Sequence, residues 1–467
     1  MKKIITAILL IFFLNINTAH AKTFQDVCKK HLEKTSVVEI IQKYTGQNPR
    51  FITLDECINI GLINNYGIKI AEDKLDISKY NYKSLLAKYL PDIGLLGYGN
   101  LLSGEYLVGN ALLRDINEFA ILGGGYIKHD LLNGGKTIFE SKAGKFLMQS
   151  ERRNLNFTKE ETIMKIATYY YELLDTKLRL EIYIKNHSER KAQLRLTENL
   201  YEAGLGTKFD VIRAQNELAN AEQEILNMIS QFKIKQANLT FIMGVDFMIS
   251  LCPREDEVIP YEFISDKIGL NELAVSGIKE RQDVRSLEQK IKSTEYEKKM
   301  LYSEFIPKAD ITAQYSSQGT VKVGFGQNLQ VVANLNIPIG KNMGVNTLNR
   351  IKIKESEIKM LEHQLQEKKR EIEQNIISSF YKCKTSKDRA EIAKRQIDYA
   401  TESVHLAELR LDTGEGILLD VIQAQTLKTS ARIEYLDTVI NYNINQIELL
   451  YNAGLISKNT VLKDYAP

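Results

Sequence analysis

Tryptophan is missing from this chain altogether, and proline occurs only seven times in 467 residues. Beyond the N-terminal segment no apolar run is long enough to cross a bilayer as a helix, so an integral membrane role would have to use strands. Net charge is scarce too: 62 Lys and Arg stand against 59 Asp and Glu, with no basic block, which argues against a nucleic-acid partner. The four cysteines, Cys28, Cys57, Cys252 and Cys383, include no CxxC pair. They read as small buried thiols with room for one disulfide, not as a metal or redox centre. The six histidines are scattered and no nucleophile motif accompanies them, so catalysis has no support. Gly135-Lys136-Thr137 looks like the end of a phosphate-binding loop, but the glycine such a loop needs five residues earlier is Asp130. Glu402 and His405 have the Glu-x-x-His spacing of di-iron bundles, without the second motif those bundles require. The expectation is a protein that is not an enzyme and holds neither cofactor nor metal.

What is present begins with Met1-Lys-Lys, an apolar run from Ile4 to Leu14, and Ala19-His20-Ala21, the pattern of a secretory leader. A leader over residues 1–21 and an exported chain from Lys22 are expected. Between Pro91 and Pro253 there is no proline, and the composition there is rich in good helix formers. Apolar residues recur at heptad-like spacing from Gly134 to Ala203, as at Ile163, Ile166, Tyr170 and Leu173, and from Lys341 to Leu411, as at Ile358, Leu361, Leu365, Ile372 and Ile376. Each stretch predicts a helix of about 70 residues, roughly 105 Å long. A secreted or periplasmic coiled coil with a structural or adhesive role would show the same two segments.

A duplication organises the chain. Ala203-Gly-Leu-Gly-Thr-Lys-Phe-Asp-Val-Ile-Arg-Ala-Gln215 aligns without gaps to Thr413-Gly-Glu-Gly-Ile-Leu-Leu-Asp-Val-Ile-Gln-Ala-Gln425, with seven of thirteen positions identical. The same offset carries Gly244 onto Gly454. This divides the mature chain into an N-terminal extension at 22–50, repeat 1 at 51–254, repeat 2 at 255–454 and a tail at 455–467. Each repeat reads helix, strand pair, long helix, Gly-marked turn, helix. The clearest strand, residues 328–337, puts Leu329, Val331, Ala333, Leu335 and Ile337 on one face and mostly polar residues on the other. That is the pattern and length of a membrane-barrel strand. Its partner is placed at 309–317, and the Gly-rich strands of repeat 1 at 92–102 and 119–130. Four strands cannot close a barrel, and an open edge in lipid leaves backbone groups unsatisfied, so copies must combine; two or three would suffice. Gly204, Gly206, Gly414 and Gly416 suit tight helix-to-helix turns. Asp210 and Asp420 follow the turns by one helical turn, where a carboxylate opposes the positive end of the helix dipole.

In Thr53-Leu-Asp-Glu-Cys-Ile58, Tyr89-Leu-Pro-Asp-Ile93, Leu132-Asn-Gly-Gly-Lys136 and the two Gly-x-Gly-x-x-x-Asp-Val-Ile segments, taken in order, the chain resembles the TolC-like outer-membrane efflux family from about Phe51 to Gly454. The resemblance implies a membrane α+β fold: a homotrimer whose twelve strands, four per chain, form an outer-membrane barrel continued by a long periplasmic helical barrel. It implies a passive exit duct for small molecules or proteins in a tripartite efflux or type I secretion system. The partners it implies are a periplasmic adaptor (membrane fusion) protein, an inner-membrane pump and outer-membrane lipid. The turns Gly204, Leu205, Gly206 and Gly414, Glu415, Gly416 would meet the adaptor. Asp420 matches the family's aperture position, with Asp210 its counterpart in the other repeat. Family members often carry a second Asp three residues on, where this chain has Gln423.

Overall fold

The computed structural model describes residues 37–45, 48–108, 112–265, 268–320, 324–338, 341–413 and 415–462. The expected leader, Cys28, Gly414 and much of the extension at 22–50 lie outside the described residues. The chain runs α1 (Val37–Thr45), β1 (Arg50–Ile52), α2 (Leu54–Asn64), α3 (Tyr66–Ala87), β2 (Asp92–Val108), β3 (Leu112–Asn133), α4 (Lys136–Glu202) and α5 (Lys208–Met243). It continues through β4 (Leu251–Pro253), α6 (Leu270–Glu280), α7 (Gln282–Tyr302), β5 (Lys308–Thr320), β6 (Gly324–Asn336), α8 (Val345–Asp412), α9 (Leu418–Asn452) and α10 (Lys458–Val461). None of the described helices is long and apolar enough to cross a membrane.

Local chemistry sets the helix starts. Thr53 and Glu56 bond each other's backbone N–H groups at 3.3 and 3.0 Å, a capping box that opens α2. Asn65 interrupts the path between α2 and α3, and its side-chain Oδ1 accepts from Ile68 N at 3.0 Å. Helices α4 and α8 run for 67 and 68 residues, and α5 and α9 for 36 and 35. The expected start of the second long helix at Lys341 is a short 3₁₀ turn, Lys341–Gly344, and the α-helix begins at Val345.

The chain forms two compact units, each assembled from separate stretches of both halves of the sequence. The sheet unit comprises Asn59–Lys165, Glu262–Cys383 and Asn445–Pro467. Its antiparallel sheet has the order β2-β3-β5-β6. All four strands are longer than expected, reaching 17, 22, 13 and 13 residues, although β6 ends at Asn336, one residue short of its expected end at Ile337. Register aligns Leu95, Gly125, Tyr315 and Leu329 across the sheet, and Ile93, Ile127, Ala313 and Val331 in the next row of the same face. Leu95 is 91 % exposed and Leu329 69 %, so a continuous apolar face is bare. The opposite face is mixed: Lys128 lies 3.8 Å from Asp310, whose carboxylate accepts from Asn334 at 3.1 Å. Among the described residues, β2 and β6 have a strand partner on one side only.

The sheet unit also holds a buried charge cluster at the α6–α7 junction. Arg281 donates to both oxygens of Asp283 at 3.1 and 2.7 Å and lies over the rings of Tyr451 and Phe157, 4.8 and 5.9 Å from their centroids.

The turn unit comprises Met1–Ile58, Ile166–Tyr261 and Lys384–Ile444. It contains a parallel ladder that the sequence did not reveal, Arg50–Ile52 against Leu251–Pro253. Buried Lys177 fastens the loop beyond β4, its ammonium donating to Glu255 O and Asp256 Oδ1 at 2.7 Å each. Tyr170 OH donates to Ile52 O at 3.2 Å and also to Glu255. Cys57 and Cys252 are buried free thiols in this unit, and Cys383 is buried in the sheet unit. Burial pushes the Cys57 thiol far up and that of Cys252 to about 11, which keeps both protonated and unreactive.

Candidate functional site

The residues singled out for function fall at two helix-to-helix turns of the turn unit. At the first, α4 ends in a Schellman motif: Gly204 N donates to Tyr201 O at 3.0 Å and Leu205 N to Leu200 O at 2.8 Å. Gly204 has φ +71°, a conformation that only glycine adopts without strain. Leu205 is thereby thrust outward, 79 % exposed. Thr207 then caps α5. Its hydroxyl accepts from Asp210 N at 3.2 Å and donates to Asp210 Oδ2 at 2.6 Å, and Thr207 N donates to the same oxygen at 3.2 Å. Asp210 is thus committed to a capping box.

Among the described residues the second turn repeats part of the first turn's backbone pattern but not the cap. Glu415 N and Gly416 N donate to Arg410 O at 3.0 and 2.8 Å, and Asp420 N to Ile417 O at 3.0 Å, matching Asp210 N to Thr207 O at 3.1 Å. Ile417 stands where Thr207 does and has no hydroxyl, so Asp420 cannot close a capping box. Among the described residues no hydrogen bond to its carboxylate replaces that cap. Instead Asp420 and Gln423 line a cleft of about 450 Å³ between α8 and α9, shared with Glu402, Arg410 and Tyr399. The two aspartates that the duplication equates therefore sit in different environments.

Sequence reasoning missed Glu402 and Arg410 at this cleft. Their spacing of eight residues along α8 places both on the face that meets Asp420, a pattern visible only once the turn is known to fold α9 back on α8. The cap itself was legible: Thr207-x-x-Asp210 is a capping-box sequence.

The site thus belongs to a chain whose sheet has one bare apolar face and whose described helices are none of them long and apolar enough to cross a membrane. The model of the outer membrane efflux protein family matches residues 58–245 and 274–454. The chain belongs to that family, one of channel proteins and not of enzymes, and is an outer-membrane efflux duct. It is 19 % identical over 405 residues to nodulation protein T of Rhizobium leguminosarum bv. trifolii, covering 83 % of this chain and 82 % of that protein. Its fold is similar to that of a membrane protein from Pseudomonas aeruginosa, with TM-score 0.75 and 15 % identity over 86 % of this chain and 93 % of that one. It is similar also to the outer membrane protein VceC of Vibrio cholerae, with TM-score 0.74 and 16 % identity over 86 % and 96 % of the two chains.

Proposed function

We propose that three copies of the chain close a twelve-stranded barrel in the outer membrane, continued by periplasmic helices, and form the passive exit of a tripartite efflux system. The observation that carries this reading is the four-stranded sheet with one apolar face and two edges left open. In hydrocarbon an open edge costs several kcal/mol for each unsatisfied backbone group, so the edges of neighbouring copies must pair. Three copies of four strands give a barrel of ordinary size. The paired lengths of α4 and α8, and of α5 and α9, support reading 51–254 and 255–454 as a duplicated unit.

In this reading the turns at Gly204, Leu205, Gly206 and at Gly414, Glu415, Gly416 receive a periplasmic adaptor bound to an inner-membrane pump. Asp420, repeated in each copy, forms a negative ring at the inner entrance that favours cations. Gln423 contributes no charge, so the ring is single, and Asp210 serves its helix instead. The test is single-channel conductance of Asp420→Ala in planar bilayers. Closed-state conductance should rise or block by divalent cations should weaken, while Asp210→Ala leaves both unchanged. An Asp420→Ala channel indistinguishable from the parent in both respects would remove Asp420 from the entrance.

A further inference from the structure

The sheet unit holds a cavity of about 530 Å³ walled by α3, α4, α7 and α8. That volume falls within the range of small-molecule sites, roughly 300–1,000 Å³. The cavity lies wholly within one copy of the chain, so it does not depend on how copies assemble. Its walls are mostly apolar, from Leu85 of α3, Leu147 of α4, Met300 and Leu301 of α7 and Ile353 of α8. Leu147 and Ile353 are 36 and 56 % exposed, so the chain's own packing leaves the space open.

One polar group on the wall is unaccounted for. Helix α3 turns Ile68, Ala71 and Leu75 toward Leu155 of α4, and the next position of that stripe is Ser78. Ser78 lines the cavity, is 6 % exposed, and its hydroxyl has no hydrogen-bond partner among the described residues. Other hydroxyls in this unit are satisfied. Thr158 and Thr162 donate to the carbonyls one turn earlier at 2.9 and 2.7 Å, and Ser293, also on the cavity wall, donates to Ala143 O at 2.9 Å. A buried hydroxyl without a partner is destabilising, and one bordering an apolar cavity is placed to serve a ligand. No bond holds its rotamer, so χ1 rotation can turn it toward one.

Charge marks the opposite end. Lys88 lies ten residues nearer the sheet than Ser78, roughly 15 Å along α3. It donates to Glu140 at 2.7 Å, Lys136 lies 3.7 Å from the same carboxylate, and Arg350 donates to Glu304 at 2.7 Å. Three cations thus stand against two carboxylates at the sheet end. Further from the sheet the balance reverses, because Lys354 is shared by Glu297 and Glu357 at 2.8 and 2.7 Å. An anion is favoured at the sheet end and not at the other. Lys88 and Arg350 are half-exposed there, and an ammonium with three N–H donors or a guanidinium with five keeps donors to spare after one ion pair.

We propose that this cavity binds a slender single-chain anionic amphiphile. Lys88 and Arg350 hold its head at the sheet end, Leu85, Leu147 and Ile353 cover its apolar body, and Ser78 bonds a polar group near its tail.

The chain has no tryptophan, so Tyr82→Trp, beside Gly144 on the cavity wall, supplies a single fluorescent reporter in the full protein held in phosphatidylcholine nanodiscs. Decanoate should give a saturable change, and ω-hydroxydecanoate should bind about twofold to tenfold more tightly. Adding Ser78→Ala, which removes only an unpaired group, should erase that difference while the melting temperature stays at or above the reporter's own. Lys88→Gln with Arg350→Gln should weaken both ligands about tenfold. Decyltrimethylammonium, with the same tail and the opposite charge, should give no saturable change. Failure of decanoate to saturate, equal binding of decyltrimethylammonium, or a preference for ω-hydroxydecanoate that survives Ser78→Ala would each overturn the proposal.

Discussion

Arg281→Ala would strip the guanidinium from a cluster in which it bonds Asp283 through two contacts and lies over two aromatic rings. The side chains of the pair are only 7 and 10 % exposed, so the mutation leaves a carboxylate buried with little solvent to replace its partner. Breaking such a pair costs about 3–5 kcal/mol, and the lost contact with the rings adds about 0.5–2 kcal/mol. Two features soften the loss. Lys368 stands 3.9 Å from Asp283, and Asp283 sits in the first turn of α7, where the helix dipole favours an anion. A net cost of about 3 kcal/mol remains, equivalent to roughly two orders of magnitude in local opening. Hydrogen exchange read by mass spectrometry on peptides covering α6 and α7 measures it directly. The double variant Arg281→Ala with Asp283→Ala should lose less than Arg281→Ala alone, because no orphaned charge remains. Exchange in Arg281→Ala within about fivefold of the parent, or a double variant whose cost equals the sum of the singles, would refute the argument.

The same unit gives a pH dependence. Burial pushes the Glu160 carboxyl up to about 7 against the opposing pull of Arg281. A raised carboxyl pKa means that the folded state prefers the protonated form; the contribution is full below the unfolded value and is lost as pH rises to about 7. Protection of the peptide around Glu160 should fall across that interval by no more than about 3 kcal/mol, and Glu160→Gln should abolish the slope. At the turns, Ile417→Thr supplies the hydroxyl that α9 lacks and should slow exchange at its first amides by about 1 kcal/mol, whereas Thr207→Ala should speed it at α5 by a similar amount. In the sheet, a Cβ at Gly124 would stand 2.3 Å from Tyr315 O, so Gly124→Ala should disrupt the β3–β5 ladder and lower the strand content read by circular dichroism.

Heptad spacing and the absence of proline made the long helices readable nearly to their ends, because an amphipathic pattern over sixty or more residues tolerates local irregularity. The strands were read short for the opposite reason. Glycines at 94, 97, 99 and 123–125 present no side chain to either face, so period-two alternation fades where the ladder continues. β1 and β4, at three residues each, are too brief to carry any period. The difference between Asp210 and Asp420 hung on one residue, Thr207 against Ile417, which an alignment of the two repeats displays but scores as a simple mismatch. The buried Arg281–Asp283 pair could not be told from surface charge, since burial depends on Phe157 and Tyr451, more than a hundred residues away on either side.

The central claim is that this chain is a duct through the outer membrane. Single-channel recording of the purified, detergent-solubilised protein in planar lipid bilayers tests it most directly. The account predicts discrete, reproducible conductance steps from oligomers of uniform mass, whereas a protein that inserts nowhere and carries no current would contradict it.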